Sequence, residues 1–304
     1  MSRTAPVQVP VGRGSPPEPP QPVRQHRSRQ TGPGVGKGAS YLVLLIGSAA
    51  FLLPFAWMIS TSLKTQEQVY AFPIEWIPKP FQWSNYVDVF AAAPMARYIL
   101  NTCILTFFGV LGSLVGSSIA AYAFARMRFP GRDAMFFVML ATMMVPTWVT
   151  LIPSYIIFGK VHWLDTYLPL IVPAFFALPF NTFLLRQFFL GIPVELEDAA
   201  KIDGAGTIRI FFSIVLPLAK PALIIVAIFS FLTHWNEFLG PLVYLQSQDK
   251  FPLSLGIMNF VGEQSQNFAL MMGAATIAML PCIILFFIAQ RWFIQGIVIT
   301  GVKG

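Results

Sequence analysis

The sequence has few charged residues and few cysteines. Charged residues make up 11% of its 304 positions, whereas an average soluble domain has roughly 25%. Both cysteines, Cys103 and Cys282, lie within apolar runs, so the sequence predicts neither a disulfide framework nor a cysteine-rich metal site. Hydrophobic residues instead account for 56% of the chain, including 29 Phe. This composition is typical of a protein that crosses a membrane several times.

Motifs for nucleotide binding, catalysis and metal binding are also missing. The segment nearest to a phosphate-binding loop, Gly34-Val35-Gly36-Lys37-Gly38, has Thr31 where the first Gly belongs and no Ser or Thr after Lys37. No HExxH motif, GxSxG motif or His/Cys metal cluster occurs in the sequence. We therefore expect a chain that is not an enzyme and that binds no metal or cofactor of its own.

Six apolar segments reach the roughly 20 residues that a helix needs to cross the hydrocarbon core. Helices are predicted because lipid cannot satisfy free backbone polar groups, and because no alternating pattern indicates barrel strands. The sequence therefore predicts an all-α integral membrane protein with six transmembrane helices. The predicted spans are residues 41–60, 98–125, 134–158, 167–185, 222–245 and 268–289.

The positive charges are distributed unevenly between the segments that connect these spans. With the amino terminus inside, fifteen of the 20 Lys and Arg residues lie in inner segments and five in outer ones. By the positive-inside rule we expect both termini in the cytoplasm. Because the charges are spread along loops rather than gathered in a patch, the net charge of +7 does not indicate nucleic acid. Residues 1–38, rich in Pro, Gly, Arg and Ser, are predicted to be a disordered cytoplasmic tail before one membrane domain, residues 39–304.

An acidic segment separates the fourth and fifth predicted spans. Pro193 is expected to start a short helix with acids in its first turn, and Gly204 to end it in a left-handed conformation. Two consecutive Ala residues keep one side thin enough to enter a groove on a partner protein. A simpler interpretation is a loop lying on the membrane with solvated acids. The candidate residues of the loop, which spans 191–217, are Glu195, Glu197, Asp198, Ala199, Ala200, Asp203, Gly204, Ala205, Ile214, Leu216 and Pro217.

The spacing within this loop resembles the cytoplasmic signature of ABC-importer permeases. The pattern is an acidic residue, two Ala, three residues, Gly, nine residues, Ile, one residue, Leu and Pro. Asp198 stands where the family usually has Glu, which keeps a carboxylate but shortens its reach. Further stretches resemble the carbohydrate-importer branch, namely Ser62-Leu63-Lys64, Asn85-Tyr86, Trp235-Asn236-Glu237-Phe238 and Gly301-Val302-Lys303-Gly304.

The resemblance implies the type I ABC importer permease fold and a function in sugar import across the bacterial cytoplasmic membrane. It implies that the loop at 191–217 couples the chain to a cytoplasmic ATPase. The implied partners are a second homologous permease, which is either a distinct chain or a second copy, two ATPase subunits that carry ATP and Mg, an extracytoplasmic solute-binding protein, and membrane lipid. A mono- or oligosaccharide, a polyol or glycerol phosphate all fit as the substrate.

Polar residues also interrupt the predicted fifth span. His234, Trp235, Asn236 and Glu237 follow one another there, and the first and last of them, three residues apart, share a helix face. Such groups are costly at mid-bilayer unless they face a cavity or a partner. Two interpretations stay open. The residues line the translocation pathway, or they form an interhelical hydrogen-bond cluster that holds this subunit to its partner.

Two other function classes are alternatives. A self-sufficient secondary transporter or channel is expected to carry coupling-ion or filter residues on several spans, but intramembrane charge is nearly confined to Glu237. A membrane-embedded enzyme such as a phosphatidyltransferase is indicated only by Asp203-Gly204-Ala205. The other aspartates of that motif are absent, and Asp198 stands five residues before Asp203 rather than three.

Overall fold

The computed structural model describes residues 35–261 and 267–300, and all the regular elements in them are helical. Most of the predicted tail and the stretch Gly301-Val302-Lys303-Gly304 lie outside the described residues, and the first helix already begins at Val35. The helices are α1 Val35–Ser62, α2 Gln66–Val69, α3 Asn85–Ala92, α4 Met95–Arg126, α5 Arg132–Ala141, α6 Thr147–Lys160, α7 Leu168–Ile171, α8 Pro179–Leu190, α9 Val194–Ile202, α10 Thr207–Ile210, α11 Leu216–Leu218, α12 Lys220–Trp235, α13 Leu239–Tyr244, α14 Leu253–Gly256 and α15 Phe268–Thr300.

Several of these helices are long and apolar enough to cross a membrane. Within the described residues, four do so individually, and the number rises to six if each of two bent helix pairs counts as one span. The prediction of an all-helical membrane protein is therefore confirmed, and six spans is the upper count. The four individual spans are Gly38–Ser62, Met95–Arg126, Leu168–Leu190 and Phe268–Gln290. The third of these runs from the start of α7 to the end of α8.

The predicted third span, 134–158, is not one continuous helix. Arg132–Met144 and Thr147–Lys160 meet at an angle of 102°. Pro146 stands at the bend, and a residue that precedes a proline avoids the helical region because of the steric demand of the ring. Val145 accordingly has φ −80° and ψ 117°.

The predicted fifth span, 222–245, is also interrupted, since α12 ends at Trp235 and α13 begins only at Leu239. Pro241 gives a physical reason, because it has no N–H to donate to the carbonyl of Glu237, four residues earlier. The Ser254 hydroxyl donates to that carbonyl instead, at 2.6 Å. The chain therefore leaves the helix without leaving this backbone acceptor unsatisfied.

The chain forms two units, one up to Leu52 and one from Leu53 onward. In the first unit, the described part of α1 carries exposed apolar side chains, as a lipid-solvated helix does. In the second unit, the 32-residue helix α4 is about 48 Å long at 1.5 Å per residue. It packs against α8 and α12. At Gly116 a Cβ would lie 2.3 Å from the Phe175 carbonyl oxygen, so only glycine permits this close backbone contact.

An apolar cluster surrounds each end of α4. The Arg126-end cluster is formed by buried residues of α4, α8, α12 and the chain between α8 and α12, and the Met95-end cluster joins α3, α4, α12, α14 and α15. The first contains Ala121, Tyr122, Ala125, Leu185, Phe189, Ile192, Ile210, Phe211, Val215, Ala219, Ala222 and Val226, and the second contains Val89, Met95, Tyr98, Trp235, Leu253, Phe260 and Ala274.

Two of the stretches that resemble carbohydrate importers contact each other. The Asn85 side-chain amide donates to the carbonyls of Ser62 at 2.9 Å and Lys64 at 2.8 Å, and the hydroxyls of Ser62 and Tyr86 lie 2.7 Å apart. The Lys64 side chain is buried with its ammonium 4.0 Å from the centre of the Trp57 ring. Burial lowers the pKa of Lys64, and the charge of Glu75 partly opposes this. These contacts fix the chain where it leaves α1.

Candidate functional site

Helix α9 lies within the loop whose spacing matches the importer signature. Pro193 is its N-cap residue, and Glu195 and Glu197 stand in the first turn, where carboxylates interact favourably with the helix dipole. The helix ends before Gly204, which has φ +81°. The left-handed glycine that the sequence predicts is therefore present.

Glu197 is buried, although acids on a short surface helix are expected to face solvent. Its side chain is 4% exposed, and its Oε1 lies 2.7 Å from Nε of Arg126, the last residue of α4. This contact is an ion pair by distance but lacks the alignment of a hydrogen bond. The Tyr122 hydroxyl donates to Oε2 at 3.4 Å, and the Arg126 guanidinium also donates to the carbonyl of Ile192, just before α9. Glu197 is thus an internal contact rather than part of a docking surface.

The opposite face of the loop is exposed and combines acidic with apolar side chains. Ile202 is 87% exposed and Ile208 is 76% exposed, with Asp198 and Asp203 also at the surface. Of the predicted residues, Glu195, Asp198, Ala199, Asp203, Gly204 and Pro217 are exposed, while Ala200, Ala205, Ile214 and Leu216 are partly buried against the Arg126-end cluster. Sequence analysis did not single out Ile202. Its signal is a large apolar side chain at the end of the helix, directly before Asp203 and Gly204.

A cavity of about 480 Å³ adjoins the break between α12 and α13. Its lining is mostly apolar, with hydroxyl groups from α6 and α13, one imidazole and one carboxylate. Neither Lys nor Arg occurs among the described residues that line it. The polar lining residues are Thr147, Thr150, Ser154, His234, Glu237 and Tyr244.

Two of the four polar residues predicted in the fifth span, His234 and Glu237, face this cavity. The Glu237 carboxylate accepts the N–H of Gly240 at 2.9 Å, so it also caps the first turn of α13. Because α12 ends at Trp235, His234 lies in the last turn of α12 and Glu237 lies in the break that follows. The two residues therefore do not share one helix face. Two such side chains are too few to hold a metal ion, and in the described part of the chain no three His, Cys, Asp or Glu side chains are grouped to do so.

The other two residues of the stretch make contacts within the fold. The Trp235 indole is buried and donates to the Ala278 carbonyl of α15 at 2.9 Å. Asn236 is exposed and donates to the carbonyl of Leu232 at 2.8 Å. His234 and Glu237 thus line a cavity, and Trp235 bonds another helix of the same chain. Lining of the translocation pathway and attachment to a partner subunit both stay predictions.

His234 lines a second cavity as well, of about 410 Å³, and Leu178 likewise borders both cavities. On its other side His234 meets α4 at Gly109, where a Cβ would lie 2.5 Å from the imidazole ring. Position 109 must therefore be glycine for α4 to lie beside the histidine.

Comparison with known proteins gives a consistent result. Residues 112–299 match a family described as the binding-protein-dependent transport system inner membrane component. The arabinooligosaccharides transport system permease protein AraQ of Bacillus subtilis is 32% identical over 266 residues, which is 86% of this chain and 94% of the relative. The diacetylchitobiose uptake system permease protein NgcG of Streptomyces coelicolor is 31% identical, over 83% of this chain and 84% of the relative. The sn-glycerol-3-phosphate transport system permease protein UgpE of Pectobacterium atrosepticum is 31% identical, covering 85% and 95%.

Solved structures agree at the level of the fold. A chain of a bacterial ABC transporter involved in the import of the acidic polysaccharide alginate superposes with a TM-score of 0.76 at 24% identity, covering 85% of this chain and 96% of that chain. An alginate transporter in complex with an alginate pentasaccharide-bound periplasmic protein gives 0.59 at 14% identity, covering 84% and 96%. The predicted fold of an ABC-importer permease is therefore confirmed.

Proposed function

Because the chain belongs to the family of inner membrane components of binding-protein-dependent transport systems, we propose that it is a permease subunit of an ATP-driven sugar importer. Its helices make it a multi-pass membrane protein. We place the loop at 191–217 and both termini in the cytoplasm of a bacterium, since the basic residues favour that side. The support for sugar comes from relatives named for arabinooligosaccharide and diacetylchitobiose transport.

The proposed assembly pairs this chain with a second permease and two ATPase subunits. The sequence has no phosphate-binding loop, so ATP and Mg are expected on those separate subunits. A solute-binding protein is expected at the opposite membrane face. The family description refers to such a protein, and one of the similar transporters was crystallised with a periplasmic partner.

The observation that carries the coupling role is the exposed face of the loop. Ile202 and Ile208 expose most of their apolar surface beside Asp198 and Asp203. Exposed apolar residues rimmed by polar ones are typical of a protein interface. In the proposed cycle, ATP binding draws the two ATPases together, the docked loops follow, and the pathway between the permeases turns outward.

Within sugar import, the cavity favours a neutral solute. Its charged lining group, among the described residues, is the Glu237 carboxylate, and the hydroxyls of Thr147, Thr150 and Ser154 provide hydrogen-bonding groups for sugar hydroxyls. In a low-dielectric site that carboxylate repels a phosphate or a uronate. We therefore favour a neutral mono- or oligosaccharide or a polyol over glycerol phosphate or an acidic polysaccharide.

The deciding experiment is purification of the tagged chain from native membranes in mild detergent, with the bound subunits identified by mass spectrometry. Wild-type chain should retain an ATPase and a second permease. Ile202→Lys should lose the ATPase and keep the permease, because it replaces an apolar side chain that is 87% exposed on the loop with a charged one. Asp133→Lys, at an exposed carboxylate on α5, is the control and should retain both. A wild-type chain that purifies alone, or only with copies of itself, would contradict the proposal.

The substrate class has its own measurement. With its binding protein, the complex reconstituted in proteoliposomes should hydrolyse ATP faster when a neutral oligosaccharide is added. Glycerol phosphate and alginate oligosaccharide should leave the rate unchanged. Stimulation by the anionic solutes alone would refute the preference for neutral solutes while leaving the importer assignment intact.

A further inference from the structure

The attachment of helix α9 to the rest of the permease depends on a charge pair. Glu197 is the fully buried residue of this helix, and its neighbours Leu196 and Asp198 are exposed. Most buried helix faces are instead held by apolar side chains, whose attraction has no preferred direction. An ion pair with surrounding hydrogen bonds fixes position and orientation together. The attachment of α9 is therefore directional.

The Arg126 guanidinium contacts both α9 and the chain just before it. Its Nε faces the Glu197 carboxylate at 2.7 Å, and its Nη2 donates to the carbonyl of Ile192, five residues earlier in the chain. The hydroxyl of Tyr122, one turn back on α4, donates to the same carboxylate at 3.4 Å. Arg126 and Tyr122 therefore both contact one carboxylate of α9, and the bond to Ile192 fixes the chain that enters the helix.

Helix α4 connects this attachment to the far side of the permease. At its Met95 end, the Asn101 amide donates to the carbonyls of Asp249 at 2.8 Å and Phe251 at 2.9 Å. Arg126 and Asn101 are 25 residues apart on one helix, which corresponds to about 38 Å. Contacts at both ends of a continuous helix allow it to move as a rigid rod.

We infer that the Arg126–Glu197 pair is the joint that passes displacement of α9 to α4, and through α4 to the segment at 249–253. Both residues are positioning residues, since neither needs to touch the ATPase or the solute. The inference rests on the proposed coupling role of the loop. It differs from that role because it assigns transmission to a buried pair and leaves docking to the exposed face.

The test compares Glu197→Gln and Arg126→Gln with Asp133→Asn, which removes an exposed acid that pairs with Arg132 on α5, outside the loop. The reconstituted complex is assayed for bound ATPase, for ATP hydrolysis and for solute transported per ATP hydrolysed. We expect the first two variants to retain the ATPase and to lose at least tenfold in solute transported per ATP. Asp133→Asn should match wild type. A role limited to folding lowers the amount of complex but leaves this ratio unchanged.

A second measurement tests the inference without those variants, so it can be made even if they do not accumulate in the membrane. Spin labels at Val194→Cys on α9 and Met127→Cys after α4, both exposed, are introduced after Cys103 and Cys282 are replaced by Ala. If the Arg126–Glu197 pair joins α9 rigidly to α4, the distance between the two labels is the same in the nucleotide-free and ATP-bound complexes.

Four results decide the matter. The inference is overturned if the distance between the two labels changes with nucleotide, or if the Glu197→Gln complex transports as much solute per ATP as wild type. Loss of the ATPase from Glu197→Gln, with Asp133→Asn unaffected, also overturns the inference, because Glu197 would then act in docking. A wild-type complex without any ATPase overturns the proposed function itself.

Discussion

The two ends of helix α4 are held by different chemistry. At the Arg126 end, a full positive charge meets a full negative charge inside an apolar cluster. At the Met95 end, single hydrogen bonds join side chains to the backbone of the 249–253 segment. Arg97 donates to the carbonyl of Asp249 at 3.2 Å, and the amide N–H of Leu253 donates to the neutral Thr102 hydroxyl at 2.7 Å. Removing one partner of a buried ion pair leaves an uncompensated charge, whereas removing one neutral bond leaves a single polar group. The Arg126 end should therefore be far more sensitive to single substitutions.

The largest effect is expected for Arg126→Leu. The variant leaves the Glu197 carboxylate buried without its cation, so we expect a loss of about 3–5 kcal/mol in the free energy of unfolding. Denaturant titration of the purified complex in detergent measures this.

The matched variants sharpen that prediction. Arg128→Leu, at an exposed arginine two residues farther on, should change stability little. Combining Arg126→Leu with Glu197→Leu should recover most of the loss, because no unpaired charge remains. A double variant as unstable as the single one would show that packing, not charge, dominates this end of the helix.

At the Met95 end, Thr102→Val is expected to cost about 1–3 kcal/mol, because the buried N–H of Leu253 loses its acceptor. Thr106→Val, one turn along the same helix, is the control. Its hydroxyl is buried with no hydrogen-bond partner in the described part of the chain, so this variant should be neutral or slightly stabilising. The same titration measures both, and equal losses would contradict the assignment of the effect to the Leu253 bond.

The sequence predicted the helical fold and the position of α9 because both depend on local signals. Apolar runs of spanning length, the proline before α9 and the glycine after it each act within a few residues. The positions of the breaks within the third and fifth predicted spans were harder to predict. Pro146 and Pro241 are visible in the sequence, but the end of α12 also depends on Ser254, which donates to a carbonyl 17 residues away.

The candidate site was less predictable, because its burial depends on tertiary contacts. Glu197 and Asp198 are adjacent acids in the sequence, yet one is buried beside Arg126 and the other is exposed. The pairing joins positions 71 residues apart, which no local pattern encodes. Likewise, Glu237 lines the same cavity as the hydroxyls of α6, and it does so from the break between α12 and α13.

A smaller effect is expected at the glycine that ends α9. Gly204 has φ +81° and open space where a Cβ would lie, so Gly204→Ala should cost about 1–2 kcal/mol through backbone strain alone. Gly206, also in open space but with φ −73°, is the control, and Gly206→Ala should be neutral. If the orientation of α9 matters for coupling, Gly204→Ala should lower transport by more than the loss of folded complex explains. Equal behaviour of the two variants would argue against a strained turn.

The smallest effect is expected beyond the Met95 end, where Asp165 binds the 246–250 segment. Lys250 and Ser247 donate to its carboxylate, which holds the pKa of Asp165 well below its usual range. Because the folded-state pKa is lowered, the stabilisation is fully present above the unfolded-state value of about 3.9 and is lost only as pH falls through the lower folded-state value. Asp165→Asn should cost no more than about 1 kcal/mol, since the pair is partly exposed. Amide hydrogen exchange of this segment should be protected equally at pH 5 and pH 8 in wild type, after correction for intrinsic rates, and less protected in the variant at both. Protection in wild type that weakens between pH 8 and pH 5 would show that a different group controls the segment.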